Sequence, residues 1–205
     1  MAEVAVALVL LADLGCFFSV NLINVVKFRG RSGSVRVSAE VERPGGLVVG
    51  FAAAGTMIYF LEVLSYLCLV FTNGLAMTEA LPLLFLYPGV SVKILGLVFT
   101  LLGTFLFIWS VVARGRYSVS WEMPAEQRLV TWGPYQYVRH PSYLGYFLMF
   151  FGFFLIWPSL LSILPWLAIP GYYHLTFEEE KLLTRRFGDE YLEYRKRTGR
   201  LLPKR

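Results

Sequence analysis

The sequence predicts an all-α, polytopic membrane protein with about five transmembrane helices, a C-terminal helical hairpin and short cytoplasmic helices after it. Three observations carry this reading. The chain is 57% hydrophobic and only 16% charged, whereas an ordinary soluble domain is about a quarter charged. Its apolar residues are gathered into runs long enough to cross ~30 Å of hydrocarbon, which a single buried core does not need. Eighteen of its nineteen lysines and arginines fall in three segments, 27–46, 114–140 and 178–205, and only Lys93 stands apart.

Each element follows in order. Three clear spans are expected at Val4–Val26, Leu47–Phe71 and Val90–Ala113. The fourth apolar block, Tyr143–Phe177, is too long for one helix and is broken by Pro158, Pro165 and Pro170. Proline removes a backbone donor and clashes with the preceding turn, so this block reads as a hairpin of two short, antiparallel neighbouring arms turning near Trp157–Leu160. Backbone groups in lipid must be satisfied internally, which leaves helices as the spanning form. Small residues Gly50, Ala54, Gly96 and Gly103 recur at helical spacing, as helix contacts in lipid require. Beyond the hairpin, Phe177–Gly188 reads as a helix with acids in its first turn and bases in its last, ended by glycine. Asp189 is expected to cap a second short helix.

Five spans alternate the three basic segments onto one face. The bias of positive charge identifies that face as cytoplasmic, with the N-terminus outside. The N-terminal Met-Ala-Glu lacks the positive region of a removable signal and runs into a span too long for one. The surplus of +5 therefore reads as topology and contact with anionic lipid. A nucleic-acid partner is not expected, since no soluble basic module is present. Cys16 and Cys68 lie inside spans without metal-type spacing, and no metal site is expected. Asp13 and Glu62 are the acids well inside the first spans, where an ionisable residue raises a functional suspicion.

Polar chemistry is concentrated in the last third. Residues 1–113 form the three spans, and residues 114–205 form a region holding the hairpin and the tail. His140 precedes Pro141, which holds its backbone extended and starts a helix just after it. Tyr143 and Gly145 then fall on the first turns of the hairpin, and Glu178–Glu180 where its second arm leaves the membrane. These groups should converge at one membrane edge. They suit a cationic, polar cofactor with an apolar acceptor arriving from lipid, because aromatic faces attract a cation and Glu pairs with amines or hydroxyls. The same residues also suit plain interfacial anchoring.

The string Gly133-x-Tyr135-x-x-x-Arg139-His140-Pro141-x-Tyr143-x-Gly145 resembles the signature of the isoprenylcysteine carboxyl methyltransferase and phospholipid methyltransferase superfamily. So do Glu178-Glu179-Glu180, Phe187-Gly188-Asp189-Glu190-Tyr191-x-x-Tyr194 and Thr198-Gly199-Arg200-Leu201-x-Pro203. The resemblance covers roughly residues 125–203. It implies an S-adenosylmethionine-dependent methyltransferase, with the cofactor held on the cytoplasmic side and a lipidic or prenylated acceptor entering from the bilayer. On that resemblance Gln127, Leu129, Tyr135, His140, Pro141, Tyr143 and Gly145 shape the cofactor pocket, and Glu179 or Glu180 holds its ribose or amine. Two departures stand out: Gln127 occupies a position where family members often carry His, and His174 is the nearest candidate where they tend to carry an acceptor-orienting Arg. A carboxylate acceptor needs another cation, for which Arg139 or Arg185 is in reach. An amine or thiol acceptor needs a base, for which His174 or a Glu such as Glu180 serves. The competing readings are a membrane sterol-type reductase using NADPH and a non-catalytic membrane scaffold.

Overall fold

The computed structural model describes residues 2–29, 36–38, 45–79, 85–86, 88–117, 122–124 and 127–204. Arg31 and Arg43 of the first basic segment and Trp121 of the second lie outside those residues. Long helices form at α1 (Ala2–Arg29), α2 (Gly46–Phe71) and α4 (Val90–Arg114), with the five-residue α3 (Leu75–Glu79) between the last two. The expected spans therefore match within two or three residues. All three are long and apolar enough to cross a membrane. Their outward faces expose Leu22, Ile23, Leu47, Met57, Phe105 and Val112, as helix faces turned to lipid would.

The hairpin follows as α5 (Pro141–Ile156), a reversal at residues 157–160, a 3-10 stretch Leu161–Leu167 containing Pro165, and α6 (Ala168–Phe187). The arms are short: sixteen residues in α5 span about 24 Å at 1.5 Å per residue. Two expectations are corrected here. The acidic run does not open a separate helix, because α6 runs unbroken from Ala168 to Phe187 and Glu178–Glu180 lie inside it. Asp189 does not cap the last helix either: it is the first residue of α7 (Asp189–Arg197), which starts directly after Gly188 without a side-chain cap. Gly188 makes the break at φ 52, where glycine carries no steric penalty. Two three-residue strands, β1 (Arg36–Ser38) and β2 (Glu122–Pro124), also pair antiparallel where only loops were expected.

Packing is set by small residues, although not always the expected ones. Helix α4 lies against α5 through Gly96 on Gly152 and Gly103 on Gly145; a Cβ added at Gly103 would fall 2.6 Å from the Gly145 carbonyl oxygen. Helix α2 meets α6 through Gly55 beside Ala168 and Gly171 beside Ala52. Gly50 has nothing within 4 Å of its missing Cβ, and Ala54 is exposed. The contact face of α2 is thus offset from the pair expected to form it. The hairpin arms are also not close-packed neighbours. Each lies on a different earlier helix, and they meet through side chains, with Tyr146 stacked on Tyr172 at 5.3 Å and Tyr143 at 4.7 Å from Tyr172.

The pairing of polar groups gives the directions. Glu3 of α1 accepts from Lys93 of α4, and Thr104 donates to Asp13 at 2.8 Å. Residues 3 and 13 thus lie level with 93 and 104, so α1 and α4 run parallel. Against α4, α5 runs antiparallel, as α6 does against α2. The C-termini of α1, α4 and α6 therefore share one end of the bundle with the N-terminus of α5. At the other end Leu86 N–H donates to Pro158 O at 2.8 Å and Phe85 stacks on Trp157. Glu62 is buried in α2, and neither of its carboxylate oxygens has a hydrogen-bond partner among the described residues.

Gly152→Val should lower the stability of the detergent-solubilised protein by about 1–3 kcal/mol, because a Cβ there meets the Thr100 hydroxyl and the Gly96 carbonyl. Gly50→Val should change it by less than about 0.5 kcal/mol. Thermal unfolding of the two variants checks the pair, and equal effects would mean that the α4–α5 seam is not glycine-limited.

Candidate functional site

The basic end of the bundle carries a cleft built from four short pieces of chain. The end of α4 and the turn after it give Arg114 and Tyr117. The segment 127–130 gives Gln127 and Leu129, the turn Gly133–Gln136 gives Tyr135, and the start of α5 gives His140 and Tyr143. Glu179 and Leu183 of α6 close the far wall, with Tyr194 of α7. The cleft is partly open, and its cavity volume is about 50 Å³.

Local sequence explains how these pieces are held. Gly133 sits at φ +61 and packs on Ala113, where Trp132 also donates its indole N–H to the Ala113 carbonyl at 2.8 Å. This pins the turn to α4. Tyr194 donates its hydroxyl to Tyr135 O at 2.6 Å from the other side. His140 is the residue before α5, and Pro141 takes the first helical position, where its missing N–H costs nothing. The C-terminal segment lies beside this stretch: Arg139 N–H donates to Gly199 O at 2.9 Å and His140 N–H to Arg200 O at 3.1 Å. Gly199 is required there, since a Cβ would overlap the Leu202 carbonyl.

A buried charge cluster underlies the cleft. Glu180, 4% exposed, accepts from Arg139 Nε at 2.9 Å and from Arg200 Nε and Nη2 at 3.0 and 2.9 Å. Arg139 Nη1 donates to the backbone oxygens of Thr198 and Arg195. His140 places Nδ1 3.2 Å from Glu179 Oε2. Its Nε2 lies 3.4 Å from Glu180 Oε1, an ionic contact outside hydrogen-bond geometry. Tyr143 stacks parallel to His140 and donates its hydroxyl to Glu179.

The titration directions follow from that geometry. Burial acts to raise the Glu180 carboxyl, but the cationic contacts of His140, Arg200 and Arg139 outweigh it and hold the group well below its ordinary value. Burial acts to lower His140, and Glu179 and Glu180 outweigh it and raise the imidazole above 6.5. Burial raises the Tyr135 phenol despite the nearby Arg114 charge.

Six of the expected cofactor residues line the cleft: Gln127, Leu129, Tyr135, His140, Tyr143 and Glu179. Pro141 and Gly145 do not. Pro141 is buried at the helix start, and Gly145 turns to Gly103 as part of the α4–α5 seam. Among the three expected catalytic residues, Glu180 lies beneath the cleft, and Arg139 lines the cleft while bonding to Glu180 through Nε. His174 is exposed on α6 and does not line it. Arg185 also lies off the cleft, in a groove on another face of α6. Arg114, Tyr117, Ser142, Leu183 and Tyr194 line the cleft without having been anticipated. The two tyrosines and Arg114 were readable only as interfacial residues, since their convergence depends on how α4 and α7 pack. Gln127 Nε2 donates to Tyr117 O at 2.9 Å, while its buried Oε1 has no partner among the described residues and remains an open acceptor in the cleft. No group of three or more potential metal ligands occurs among the described residues.

Known proteins resemble this chain over the same region. Residues 92–190 match the family model described as phospholipid methyltransferase. A protein-S-isoprenylcysteine O-methyltransferase from Xenopus laevis is 31% identical over 127 residues, 58% of this chain and 44% of that protein. Its counterpart from Schizosaccharomyces pombe is 32% identical over 111 residues, covering 51% of this chain and 47% of that one. The chain thus spans less than half the length of these curated relatives. A solved structure of the eukaryotic intramembrane Ras methyltransferase ICMT (isoprenylcysteine carboxyl methyltransferase) overlaps 95% of this chain and 67% of its own at a TM-score of 0.48, with 22% identity. The family match takes in the motif from Gly133 to Gly145 and the acidic run Glu178–Glu180.

The two titration shifts stabilise the fold over different pH windows. Glu180 has a folded value below its unfolded one, so its contribution is present above about pH 4.5 and is lost as pH falls through the depressed value. His140 has a folded value above 6.5, so its contribution is full below that pH and is lost as pH rises through the raised value. Glu180→Gln should cost about 3–5 kcal/mol near neutrality, the usual result of breaking a buried ion pair from one side. The variant should also lose most of the wild-type stability gain between pH 3 and 5. Unfolding across pH 3–9 measures both, and an unchanged acid limb would mean that Glu180 is not the anchoring carboxylate.

Proposed function

We propose that this multi-pass membrane protein is an S-adenosylmethionine-dependent methyltransferase acting on a lipidic acceptor, the carboxylate of a prenylated cysteine. The observation that supports it best is the wall formed by Glu179, His140, Tyr143 and Tyr135 in a cleft at the basic end of the bundle. Glu179 offers a carboxylate to ribose hydroxyls or an amine, Gln127 Oε1 offers a second acceptor, and the tyrosine faces suit a sulfonium cation. The names of the relatives supply the acceptor class.

In this reading residues 114–205 are the cofactor-binding and catalytic region, residues 1–113 are its membrane support, and the basic face is cytoplasmic. The acceptor's apolar chain enters between α5 and α6, whose backbones stand apart. Arg114 joins Arg139 as a cation on the cleft wall able to orient the acceptor carboxylate. It reaches the cleft from the last turn of α4, and no carboxylate pairs with it among the described residues. Methyl transfer to a carboxylate, already ionised at neutral pH, is an in-line displacement at the sulfonium carbon that needs no general base. The chain then contributes alignment and exclusion of water. His140 sits within ionic contact of Glu179 and holds that side chain in place.

Calorimetry on the purified protein should show binding of S-adenosylhomocysteine and none of NADPH. His140→Ala and Glu179→Gln should each weaken that binding at least about 10-fold, the scale of one lost charge-assisted hydrogen bond. NADPH binding would favour the reductase reading. Unchanged affinity in both variants would place the cofactor elsewhere.

A further inference from the structure

A second polar groove lies on the opposite side of α6 from the cleft, and nothing in the methyl-transfer reading uses it. It is lined by Phe177, Lys181, Thr184 and Arg185 of α6, Arg195 of α7 and Arg200 of the C-terminal segment, with Glu180 at its floor. Four cations from three separate pieces of chain converge there. The floor carboxylate is already committed to Arg139, Arg200 and the His140 ring. Lys181 bonds to Glu178 at 2.8 Å while 61% of its side chain stays exposed, so its two other N–H donors face outward. Arg195 is exposed, and no acid pairs with it among the described residues.

The groove's position along α6 indicates what it meets. Tyr173, 48% exposed, and Phe177, 39% exposed, precede Lys181 and Arg185 at successive four-residue steps. One side of the helix therefore passes from aromatic to basic as it leaves the apolar part of the bundle. Aromatic rings favour the interface between hydrocarbon and headgroups, and basic side chains favour the phosphate layer just above it. Arg200 lies flat on Phe177, with Cζ 3.8 Å from the ring centroid, and turns the Nη1 end of its guanidinium away from Glu180. Guanidinium forks match the geometry of phosphate oxygens.

We propose that this groove binds the phosphate of an anionic membrane lipid, whose acyl chains lie along Tyr173 and Phe177. Occupancy joins α6, α7 and the C-terminal segment across Arg195 and Arg200. Because Arg200 also grips Glu180, the bound headgroup braces the charge cluster under the cleft from behind. The lipid is a structural ligand here and not the methyl acceptor.

The test is thermal unfolding of the full chain in neutral detergent, titrated with dioctanoyl phosphatidylglycerol, dioctanoyl phosphatidylcholine or inorganic phosphate. Phosphatidylglycerol should raise the midpoint saturably, and phosphatidylcholine should not. The double variant K181Q/R195Q removes two exposed cations outside the Glu180 cluster. It should unfold at the wild-type midpoint without lipid and bind phosphatidylglycerol roughly 10- to 30-fold more weakly. Equal shifts from both lipids, or a phosphatidylglycerol shift unchanged in the variant, would overturn the site. If inorganic phosphate alone reproduced the full shift, and lost it in the variant, the lipid assignment would fall in favour of a free anion.

Discussion

Glu180 is the point from which the rest of the polar architecture is organised. A carboxylate that is 4% exposed is tolerated only when its charge is matched and its lone pairs are filled. Here two guanidiniums and an imidazole do so. The partners come from two stretches: Arg139 and His140 from the turn before α5, Arg200 from the C-terminal segment. One side chain of α6 therefore ties both of them to that helix. The backbone bonds between residues 137–140 and 199–200 follow the same seam and depend on Gly199 to come that close.

This constraint explains how an open cleft can exist at the end of so small a bundle. Helices α5 and α6 are each drawn onto a different partner by glycine contacts, α4 for the first and α2 for the second. Their ends would otherwise be free to separate. The charge cluster bridges them at the basic end, and the column of Tyr143, Tyr146 and Tyr172 bridges them further in. The cleft lies beyond that column, at the basic end, lined by Tyr143, Glu179, His140 and Arg114.

Much of this was legible in the sequence, and the exceptions share a cause. The long spans were readable because hydrophobic run length is a local property, and Val90–Ala113 falls within one residue of α4. Six pocket residues were readable because they cluster within seventeen positions around Arg139-His140-Pro141, apart from Glu179. Gly145 was misassigned because a glycine in a motif looks the same whether it makes room for a ligand or for a neighbouring helix, and only the position of Gly103 decides. The placing of Gly50 and Ala54 on the contact face failed for a similar reason: several small residues line α2, and only packing selects Ala52 and Gly55. Arg114 was not singled out because its place in the cleft beside Arg139 depends on how α4 packs. His174 was read as the nearest candidate for the acceptor-orienting position, and it is exposed on α6, off the cleft.

The central claim, a membrane cleft that delivers a methyl group from a sulfonium donor to a lipidic carboxylate, is tested most directly by following the label. The protein reconstituted in vesicles is given S-adenosylmethionine labelled at its methyl group and N-acetyl-farnesylcysteine, and base-released volatile methanol is counted between pH 6 and 9. The account predicts labelled ester at a rate that stays flat across that range, since a carboxylate with an ordinary value near ~4 has no proton to lose. Label appearing only on a thiol or amine competitor, at a rate rising with pH, would contradict the carboxylate assignment, and no transfer to any acceptor would contradict the whole account.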